Sequence, residues 1–276
     1  MHAAKLADGS ALVVGGDGFI GKALVEELIR QGVATQATSR KHSPGAIPFD
    51  LVTSKPEDLL LAGVPQTAYF TAAVTGKDSC DKDPLGSYEV NVERTIECAK
   101  TLIAKNCHVV LLSSDLTGVE TSEYCRQKLE LERAAFNLGA TVVRLSKVLN
   151  RTVGVIPEWL LRLRRGEPIK ALADYTFSPI TKSSVVSSLV AINNFPQKHR
   201  ILISGAERIS YFTAIDFLAM HLRLDRSLIK AESSASPQRL TESYSTGDFF
   251  LQEFNVWDAL EQTYICQAEE GLENNE

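Results

Sequence analysis

The segment Val13-Val-Gly-Gly-Asp-Gly-Phe-Ile-Gly21 decides the fold, because it places three glycines between two apolar patterns. The apolar run Ala11–Val14 overlaps its start and predicts a short buried strand. After it, Lys22–Gln31 carries apolar residues on one helical face and is followed by Gly32, a typical helix stop. The order of strand, glycine turn and helix predicts the first unit of a parallel α/β sheet.

The spacing of the three glycines suits this turn to the phosphates of a dinucleotide. Gly15 allows a tight turn, Gly18 lets the backbone approach a pyrophosphate, and Gly21 permits close packing of the helix on the strand. The N-terminus of the helix adds free N–H groups and a partial positive charge. We therefore expect a dinucleotide here, with Phe19 and Ile20 beside it. A glycine-rich turn that binds nothing is the alternative.

The end of the second predicted strand, Ala34–Ser39, indicates which dinucleotide binds. An acidic residue there would hold the ribose 2′-OH of NAD, but the chain continues with Arg40 and Lys41. A guanidinium can bind a 2′-phosphate and stack on adenine, so Ser39 and Arg40 predict NADP (NADPH). The alternative is that these cations only solvate a loop. Asp50 is a candidate for the adenine amine, and an ordinary surface aspartate is equally compatible with the sequence.

Strand and helix patterns alternate along the rest of the chain. The predicted strands are Thr67–Ala73, Val109–Ser113, Thr141–Leu145 and Ile201–Ser204. The predicted helices are Tyr88–Ala104, Ser122–Leu138, Ile156–Arg165, Val185–Ile192, Tyr211–His221 and Val256–Tyr264, with a surface loop over residues 226–247. This alternation predicts an α/β, doubly wound parallel sheet covered on both faces. We expect a cofactor-binding domain over residues 1–150, a smaller substrate lobe over 151–267 interleaved with it, and a disordered acidic tail over 268–276.

The composition is that of an ordinary globular protein. The 276 residues are 44% apolar and 23% charged. The net charge of −5 gives no general attraction to nucleic acid or anionic membranes. No apolar run is long enough to span a membrane, and no signal peptide is visible. The five scattered cysteines predict reduced thiols in a cytoplasmic protein, and the spacing of cysteines and histidines predicts no metal site.

A tyrosine and a lysine four residues apart form the candidate catalytic pair. Tyr124 and Lys128 open the helix after the Val109–Ser113 strand and share one helix face. The ammonium would lower the pKa of the tyrosine, which could then exchange a proton with a substrate oxygen. Lys128 would also hold the nicotinamide ribose. A hydroxyl of Ser113 or Ser114 could orient the substrate carbonyl. A tyrosine and a lysine on an inert surface are the plain alternative.

Six segments together resemble the extended short-chain dehydrogenase/reductase superfamily. They are GGDGFIG (15–21), YFTAAVTG (69–76), YEVNVERTIECA (88–99), VVLLSSD (109–115), YCRQK (124–128) and VVRLSKVL (142–149). The GxxGxxG spacing is also that of short-chain dehydrogenases. The resemblance implies a Rossmann-like fold in which Ala72 and Ala73 wall the cofactor. It further implies that Asn91 supports the active site from a helix and that Ser114 replaces the threonine of the family's catalytic triad.

Within this superfamily, the chain is most similar to dTDP-4-dehydrorhamnose reductases and related nucleotide-sugar enzymes. Three later segments carry this similarity: residues 177–180, residues 204–212, and residues 236–239 followed by 257–260. The resemblance implies a reductase, or an epimerase, that acts on a carbonyl of a nucleotide-linked sugar. A homodimer through the helices at 88–104 and 122–138 is also implied. The candidate substrate contacts are Val74, Ser114, Arg162, Tyr175 and Arg239.

One departure from these relatives keeps a second function open. Only 10 residues separate Ser114 from Tyr124, whereas the relatives have a longer connection that helps to cover the substrate. The resemblance extends to the regulatory β subunits of methionine adenosyltransferase, which use this fold to bind a partner. A non-catalytic NADP-binding module is therefore the alternative. The retained serine, tyrosine and lysine favour an enzyme.

Overall fold

The computed structural model of the chain describes residues 9–41, 43–117, 122–194, 199–234 and 250–266. In chain order the strands are Ala11–Val14 (β1), Thr35–Ser39 (β2), Ile47–Pro48 (β3), Thr67–Phe70 (β4), His108–Ser114 (β5), Thr141–Leu145 (β6), Lys147–Val148 (β7), Ile169–Leu172 (β8), Thr176–Phe177 (β9), Pro179–Ile180 (β10), Arg200–Gly205 (β11), Ile209–Ser210 (β12), Ile229–Glu232 (β13) and Phe250–Phe254 (β14). The α-helices are Phe19–Arg30 (α1), Lys77–Lys82 (α2), Pro84–Tyr88 (α3), Thr95–Ile103 (α4), Glu123–Leu138 (α5), Val155–Arg164 (α6), Lys182–Asn193 (α7), Tyr211–His221 (α8) and Val256–Tyr264 (α9).

Eight strands form one sheet in the order β14-β11-β6-β5-β4-β1-β2-β3. From β3 to β6 every neighbouring pair is parallel. The order 3-2-1-4-5-6 is that of doubly wound dinucleotide-binding sheets, and it reverses direction between β1 and β4. The predicted α/β fold, Rossmann-like and doubly wound, is confirmed.

Both faces of the sheet centre are covered, so β1 and β4 are buried along their whole length. On one face, Leu12 and Leu111 belong to the same buried cluster as Leu102 of α4 and Leu131 of α5. A fully buried leucine of this kind contributes about 1.5–3 kcal/mol. On the other face, the hydroxyl of Tyr69 donates to a backbone carbonyl of α7 at 3.0 Å. The buried sheet therefore fixes the positions at which the loops at its edge begin and end.

The chain divides into two compact units. The first comprises residues 1–145, 185–202 and 245–251, and the second comprises 146–184, 203–244 and 252–276. The second unit contains a buried cluster of its own, which includes Trp159, Ile215, Leu218 and Leu260. It also holds three two-stranded pairings: β10 with β7, β12 with β9, and β13 with β8.

Helix α5 begins and ends where the sequence predicts. The hydroxyl of Ser122 accepts a hydrogen bond from the backbone N–H of Cys125 at 3.4 Å and caps the N-terminus. Gly139 ends the helix in the left-handed region with φ of 99°. Because both ends are fixed, the side chains in its first two turns have a defined place beside β5.

Three predictions of local structure were wrong. The pattern over Tyr88–Ala104 is not one α-helix, because a π-helical turn over Glu89–Arg94 precedes α4. Strand β4 ends at Phe70 rather than Ala73, since the N–H groups of Thr71 and Ala72 both donate to one carbonyl oxygen of β1. The predicted surface loop over 226–247 contains β13, which pairs with β8. Most of the rest of that loop lies outside the described residues.

The sequence predicts no membrane-spanning helix and no metal site. The structure bears on both only in the part of the chain that it describes. No helix in it is long and apolar enough to cross a membrane. No three potential metal-ligating side chains in it are close enough together to hold an ion. The predicted acidic tail lies outside the described residues.

Candidate functional site

The glycine turn between β1 and α1 has a geometry that only glycine satisfies. Gly15 has φ of 90°, and a Cβ at this position would lie 2.7 Å from the backbone nitrogen of Ala72. A Cβ at Gly21 would overlap the carbonyl oxygen of Gly15 and lie 2.6 Å from the hydroxyl of Thr71. Gly18, the N-cap of α1, provides no capping side chain. A helix N-terminus without a capping side chain suits a negatively charged ligand.

This turn opens onto a cleft of about 600 Å³ in the first unit, a volume within the range of cofactor pockets. The predicted cofactor residues that line it are Gly15, Gly18, Phe19, Ile20, Ser39, Arg40, Asp50, Ala72 and Ala73. Val74, a predicted substrate contact, lines it too. Gly21 and Lys128, the other predicted cofactor contacts, do not line the cleft: Gly21 packs beneath the turn, and Lys128 is buried with its Nζ on the carbonyl oxygen of Leu112. The glycine cradle and the uncapped helix therefore fit a dinucleotide pyrophosphate.

At the end of β2, opposite charges line the same cleft. The hydroxyl of Ser39 donates to the carboxylate of Asp17 at 3.1 Å and accepts from the backbone N–H of Lys41 at 3.0 Å. The guanidinium of Arg40 is exposed, and no described residue forms a hydrogen bond or ion pair with it. The prediction of the cofactor did not include Asp17. An acidic residue inside a glycine turn of this kind bears on which dinucleotide binds there, because its charge opposes a phosphate.

Asp50 shapes the loop that closes another side of the cleft. Its carboxylate accepts from the backbone N–H of Val52 at 2.8 Å, and its own N–H donates to the hydroxyl of Ser54 at 2.9 Å. Arg94 fixes the same loop by donating to the carbonyl oxygens of Leu51 at 2.8 Å and Ser54 at 2.7 Å. Arg94 was also missed, because nothing in the sequence links a helical arginine to a loop some 40 residues earlier.

The predicted serine, tyrosine and lysine come together between β5 and α5. Ser114 ends β5 and Tyr124 lies in the first turn of α5, where the Ser114 side chain acts to lower the pKa of the tyrosine. The Nζ atom of Lys128 lies 5.9 Å from the centre of the Tyr124 ring and donates to the carbonyl oxygen of Leu112 at 3.0 Å. Ser113, the other candidate hydroxyl, is buried and has no partner among the described residues. Geometry thus favours Ser114 over Ser113 as the partner of the tyrosine.

Burial controls the charge of both titratable groups in this trio. It raises the pKa of Tyr124, although the Ser114 side chain acts in the opposite direction. The expectation of a lowered pKa is not met here, because loss of solvent outweighs the nearby ammonium. Burial also lowers the pKa of Lys128 to about 8, with Glu132 and Cys80 acting against the shift. At neutral pH the pair is therefore a neutral phenol beside an ammonium.

A nearly buried ion pair fixes the segment that follows Ser114. Arg144 of β6 donates twice to the carboxylate of Glu132 on α5, at 2.8 and 2.7 Å. The hydroxyl of Thr117 donates to the carbonyl oxygen of Ser114 at 2.8 Å and bonds Glu132 at 3.2 Å. The pair therefore ties the connection after β5 to two neighbouring elements. Residues 118–121, which complete this connection, lie outside the described residues.

Asn91 lies in the π-helical turn and holds the backbone of the cleft wall. Its side-chain carbonyl accepts from the N–H of Val74 at 2.8 Å, and its amide nitrogen donates to the carbonyl oxygen of the same residue at 3.0 Å. The resemblance to short-chain dehydrogenases implied a supporting role for Asn91. These two hydrogen bonds hold the backbone of Val74 at the edge of the cleft.

The other predicted substrate residues lie in the second unit or outside the described residues. Arg162 donates to the carbonyl oxygen of Pro168 and faces Glu167 at 3.5 Å. The ring of Tyr175 lies 5.8 Å from that of Tyr211. Arg239 falls outside the described residues. Substrate binding by these residues stays a prediction.

Comparison with known proteins agrees with this fold. Residues 11–177, more than half of the chain, match the model of the NAD dependent epimerase/dehydratase family. The chain belongs to this family. It is accordingly a NAD(P)-dependent oxidoreductase or epimerase of the extended short-chain dehydrogenase type. No curated protein sequence matches the chain.

Solved structures of similar fold cover nearly all of the chain. A dTDP-4-dehydrorhamnose reductase from Bacillus anthracis in complex with NADP has a TM-score of 0.78 at 17% identity, covering 95% of this chain and 99% of that one. MoeE5 in complex with UDP-glucose and NAD has a TM-score of 0.76 at 21% identity, covering 95% and 99%. UDP-glucose 4-epimerase from Thermotoga maritima with UDP-glucose has a TM-score of 0.76 at 17% identity, covering 97% and 100%. At these identities the likeness is one of fold.

Proposed function

We propose that the protein is an NADP-dependent reductase of a carbonyl group in a nucleotide-linked sugar. The observation that carries the proposal is that Lys128 Nζ lies 5.9 Å from the centre of the Tyr124 ring, next to the strand that ends at Ser114. This trio lies at the carboxyl end of β5, where open parallel sheets bind their ligands. The similar structures include enzymes solved with NADP and with UDP-glucose, which supports both the cofactor and the substrate class.

The three side chains have separate parts in this reaction. When bound, the nicotinamide supplies or accepts a hydride. Tyr124, neutral at rest, donates its proton to the substrate oxygen as negative charge develops there. Ser114 orients that oxygen through its hydroxyl. The ammonium of Lys128 stabilises the tyrosinate that proton donation leaves behind. Because burial keeps Tyr124 protonated, the resting site holds the proton that reduction of a carbonyl group requires.

A panel of nucleotide-linked 4-keto-6-deoxy sugars tests the reaction. Consumption of NADPH in proportion to product is the expected result. Interconversion of sugars without net consumption of NADPH would identify an epimerase, which uses the same three residues. Dinucleotide binding without turnover of any sugar, together with a copurifying protein, would favour a partner-binding module and contradict the proposal.

The preference for NADP is assigned to Arg40, and its replacement gives a direct test. A charge-assisted hydrogen bond contributes about 1.5–3 kcal/mol, so Arg40→Gln is expected to weaken NADPH binding about 10- to 100-fold. Binding of NADH should change little, because NADH lacks the 2′-phosphate. Titrations followed by nicotinamide fluorescence would measure both dissociation constants.

Asp17→Asn is the matched control for Arg40→Gln, since it removes the opposite charge at the same end of the cleft. The carboxylate repels a 2′-phosphate, so this variant should bind NADPH more tightly than the wild type does. An equal loss of affinity for NADPH and NADH in Arg40→Gln would contradict a preference for NADP.

The reaction should depend on pH through Lys128. Its pKa of about 8 means that the ammonium is present at lower pH and is lost as the pH rises above this value. We expect kcat/KM for reduction to be level at neutral pH and to fall above about pH 8, because kcat/KM reports the ionisation of the free enzyme. Lys128→Met should be slower and should lack this fall. A wild-type profile that stays level to pH 10 would contradict the role given to the ammonium.

A further inference from the structure

Two fully buried side-chain amides connect the helix of the catalytic pair to the cleft wall. Gln127 on α5 is 0% exposed and Asn91 is 1% exposed. The amide nitrogen of Asn91 donates to the side-chain oxygen of Gln127 at 2.9 Å. The amide nitrogen of Gln127 donates in turn to the hydroxyl of Ser87 at 2.8 Å and to the carbonyl oxygen of Pro84 at 3.2 Å. Asn91 extends this series of hydrogen bonds to the backbone N–H and carbonyl oxygen of Val74.

In this series of hydrogen bonds, the backbone groups at its ends fix which group donates and which accepts in every bond. Val74 offers one donor and one acceptor, so the amide of Asn91 has a single favourable orientation. Its second N–H then requires an acceptor, and the oxygen of Gln127 is a strong acceptor at 2.9 Å. The N–H groups of Gln127 are held by the carbonyl of Pro84 and the hydroxyl of Ser87. Turning either amide over would set two donors or two acceptors against each other in a buried site.

The backbone around Asn91 departs from a regular helix. Asn91 lies within the π-helical turn over Glu89–Arg94, a geometry that is rare and is found mostly at functional sites. The hydroxyl of Thr95 donates to the carbonyl oxygen of Val90 at 2.8 Å. The helix therefore widens where Asn91 meets Val74 and Gln127.

We propose that Gln127 is a positioning residue, which fixes the cleft wall at Val74 against the helix that carries Tyr124 and Lys128. The proposal rests on the function proposed above, since it needs a dinucleotide in the cleft and a proton donor at Tyr124. Gln127 immediately precedes Lys128 in sequence, and Val74 lines the cleft. A hydride donor and a proton donor must meet one carbonyl group, and a misplacement of about 1 Å can cost about 100-fold in rate.

A neighbouring thiol does not replace the amide of Gln127. The sulfur of Cys80 lies 3.8 Å from the amide nitrogen of Asn91 and 3.7 Å from the carbonyl oxygen of Val74. A thiol is a weak donor and a weak acceptor. Loss of the Gln127 side chain would thus leave Asn91 without a strong acceptor and free to turn away from Val74.

The test compares Gln127→Met with the wild type in dinucleotide binding and in turnover. Methionine keeps the length of the side chain and removes its donor and acceptor. We expect NADPH to bind about tenfold more weakly and kcat to fall about 10- to 100-fold, with little change in the KM of the sugar. In a double-mutant cycle with Asn91→Ala, the two losses of NADPH affinity should be far from additive.

A milder variant and a matched control separate positioning from general destabilisation. Ser87→Ala removes one acceptor of Gln127 and should shift NADPH affinity in the same direction by a smaller factor. Asn193→Ala removes another buried amide in the first unit, which donates to the carbonyl oxygen of Gly9 at 3.3 Å. This control should lose thermal stability and keep its NADPH affinity and kcat.

The outcomes distinguish this inference from the function on which it rests. Wild-type protein that fails to bind NADPH would overturn the proposed function and this inference with it. If the wild type binds NADPH and both Gln127→Met and Ser87→Ala bind it equally well with unchanged kcat, only the positioning role of Gln127 is overturned.

Discussion

Replacing Tyr124 by phenylalanine is expected to lower kcat about 10²- to 10⁴-fold, the range that general acid catalysis contributes. The substitution removes only the hydroxyl of Tyr124, the proposed proton donor. The ring stays in place beside Lys128, so the helix and the cleft should be unchanged. NADPH should therefore bind to Tyr124→Phe as it binds to the wild type. Steady-state turnover and fluorescence titration of the same preparation measure the two quantities.

Tyr88→Phe provides a control that also removes one tyrosine hydroxyl. Tyr88 ends α3, and its hydroxyl bonds the carboxylate of Glu130 away from the trio. This variant should keep most of its turnover. Loss of turnover to the same degree in both variants, or full activity in Tyr124→Phe, would remove Tyr124 from the proposed reaction.

Replacing Glu132 by methionine is expected to reduce the free energy of unfolding by about 3–5 kcal/mol, the range for breaking a buried ion pair by removing one partner. The guanidinium of Arg144 would lose both of its bonds to the carboxylate. Thr117 would lose one of its two tethers. The ammonium of Lys128 would also lose a negative charge that opposes the lowering of its pKa. Urea denaturation followed by circular dichroism measures the stability change.

The double variant Glu132→Met/Arg144→Met tests the reason for this loss. Removing both charges leaves no unpaired group, so the double variant should be more stable than Glu132→Met alone. In Glu132→Met, kcat/KM should begin to fall at a lower pH than in the wild type, because the pKa of Lys128 is lowered further. A double variant that is less stable than either single variant would show that the ion pair is not what holds this region together.

Local patterns were enough to predict the glycine turn and the proximity of Ser114, Tyr124 and Lys128. The glycines lie within seven residues, and Tyr124 and Lys128 lie one helical turn apart, so each geometry is set by one turn of chain. Ser114 could be placed because strand ends in a parallel sheet share one edge. These features depend on neighbours in sequence, and the structure brings them together as the spacing predicts.

The missed features depend on contacts between distant parts of the chain. The Asn91–Gln127 bond joins residues 36 apart, and the contacts of Arg94 reach back 40 residues or more. The π-helical turn has the apolar spacing of an ordinary helix and becomes distinct only through the groups that Asn91 must meet. No periodicity in the sequence encodes such pairings, because each is decided by how the elements pack.

The division of the chain into two units has a consequence for how such an enzyme changes its specificity over evolution. The cleft at the glycine turn and the trio of Ser114, Tyr124 and Lys128 belong to the first unit. Substitutions in the second unit can therefore accumulate without altering the cofactor cradle or the acid. Under the proposed function, a lineage would in this way change its substrate while keeping one inherited chemistry, and grafting second units from relatives onto this chain tests that expectation.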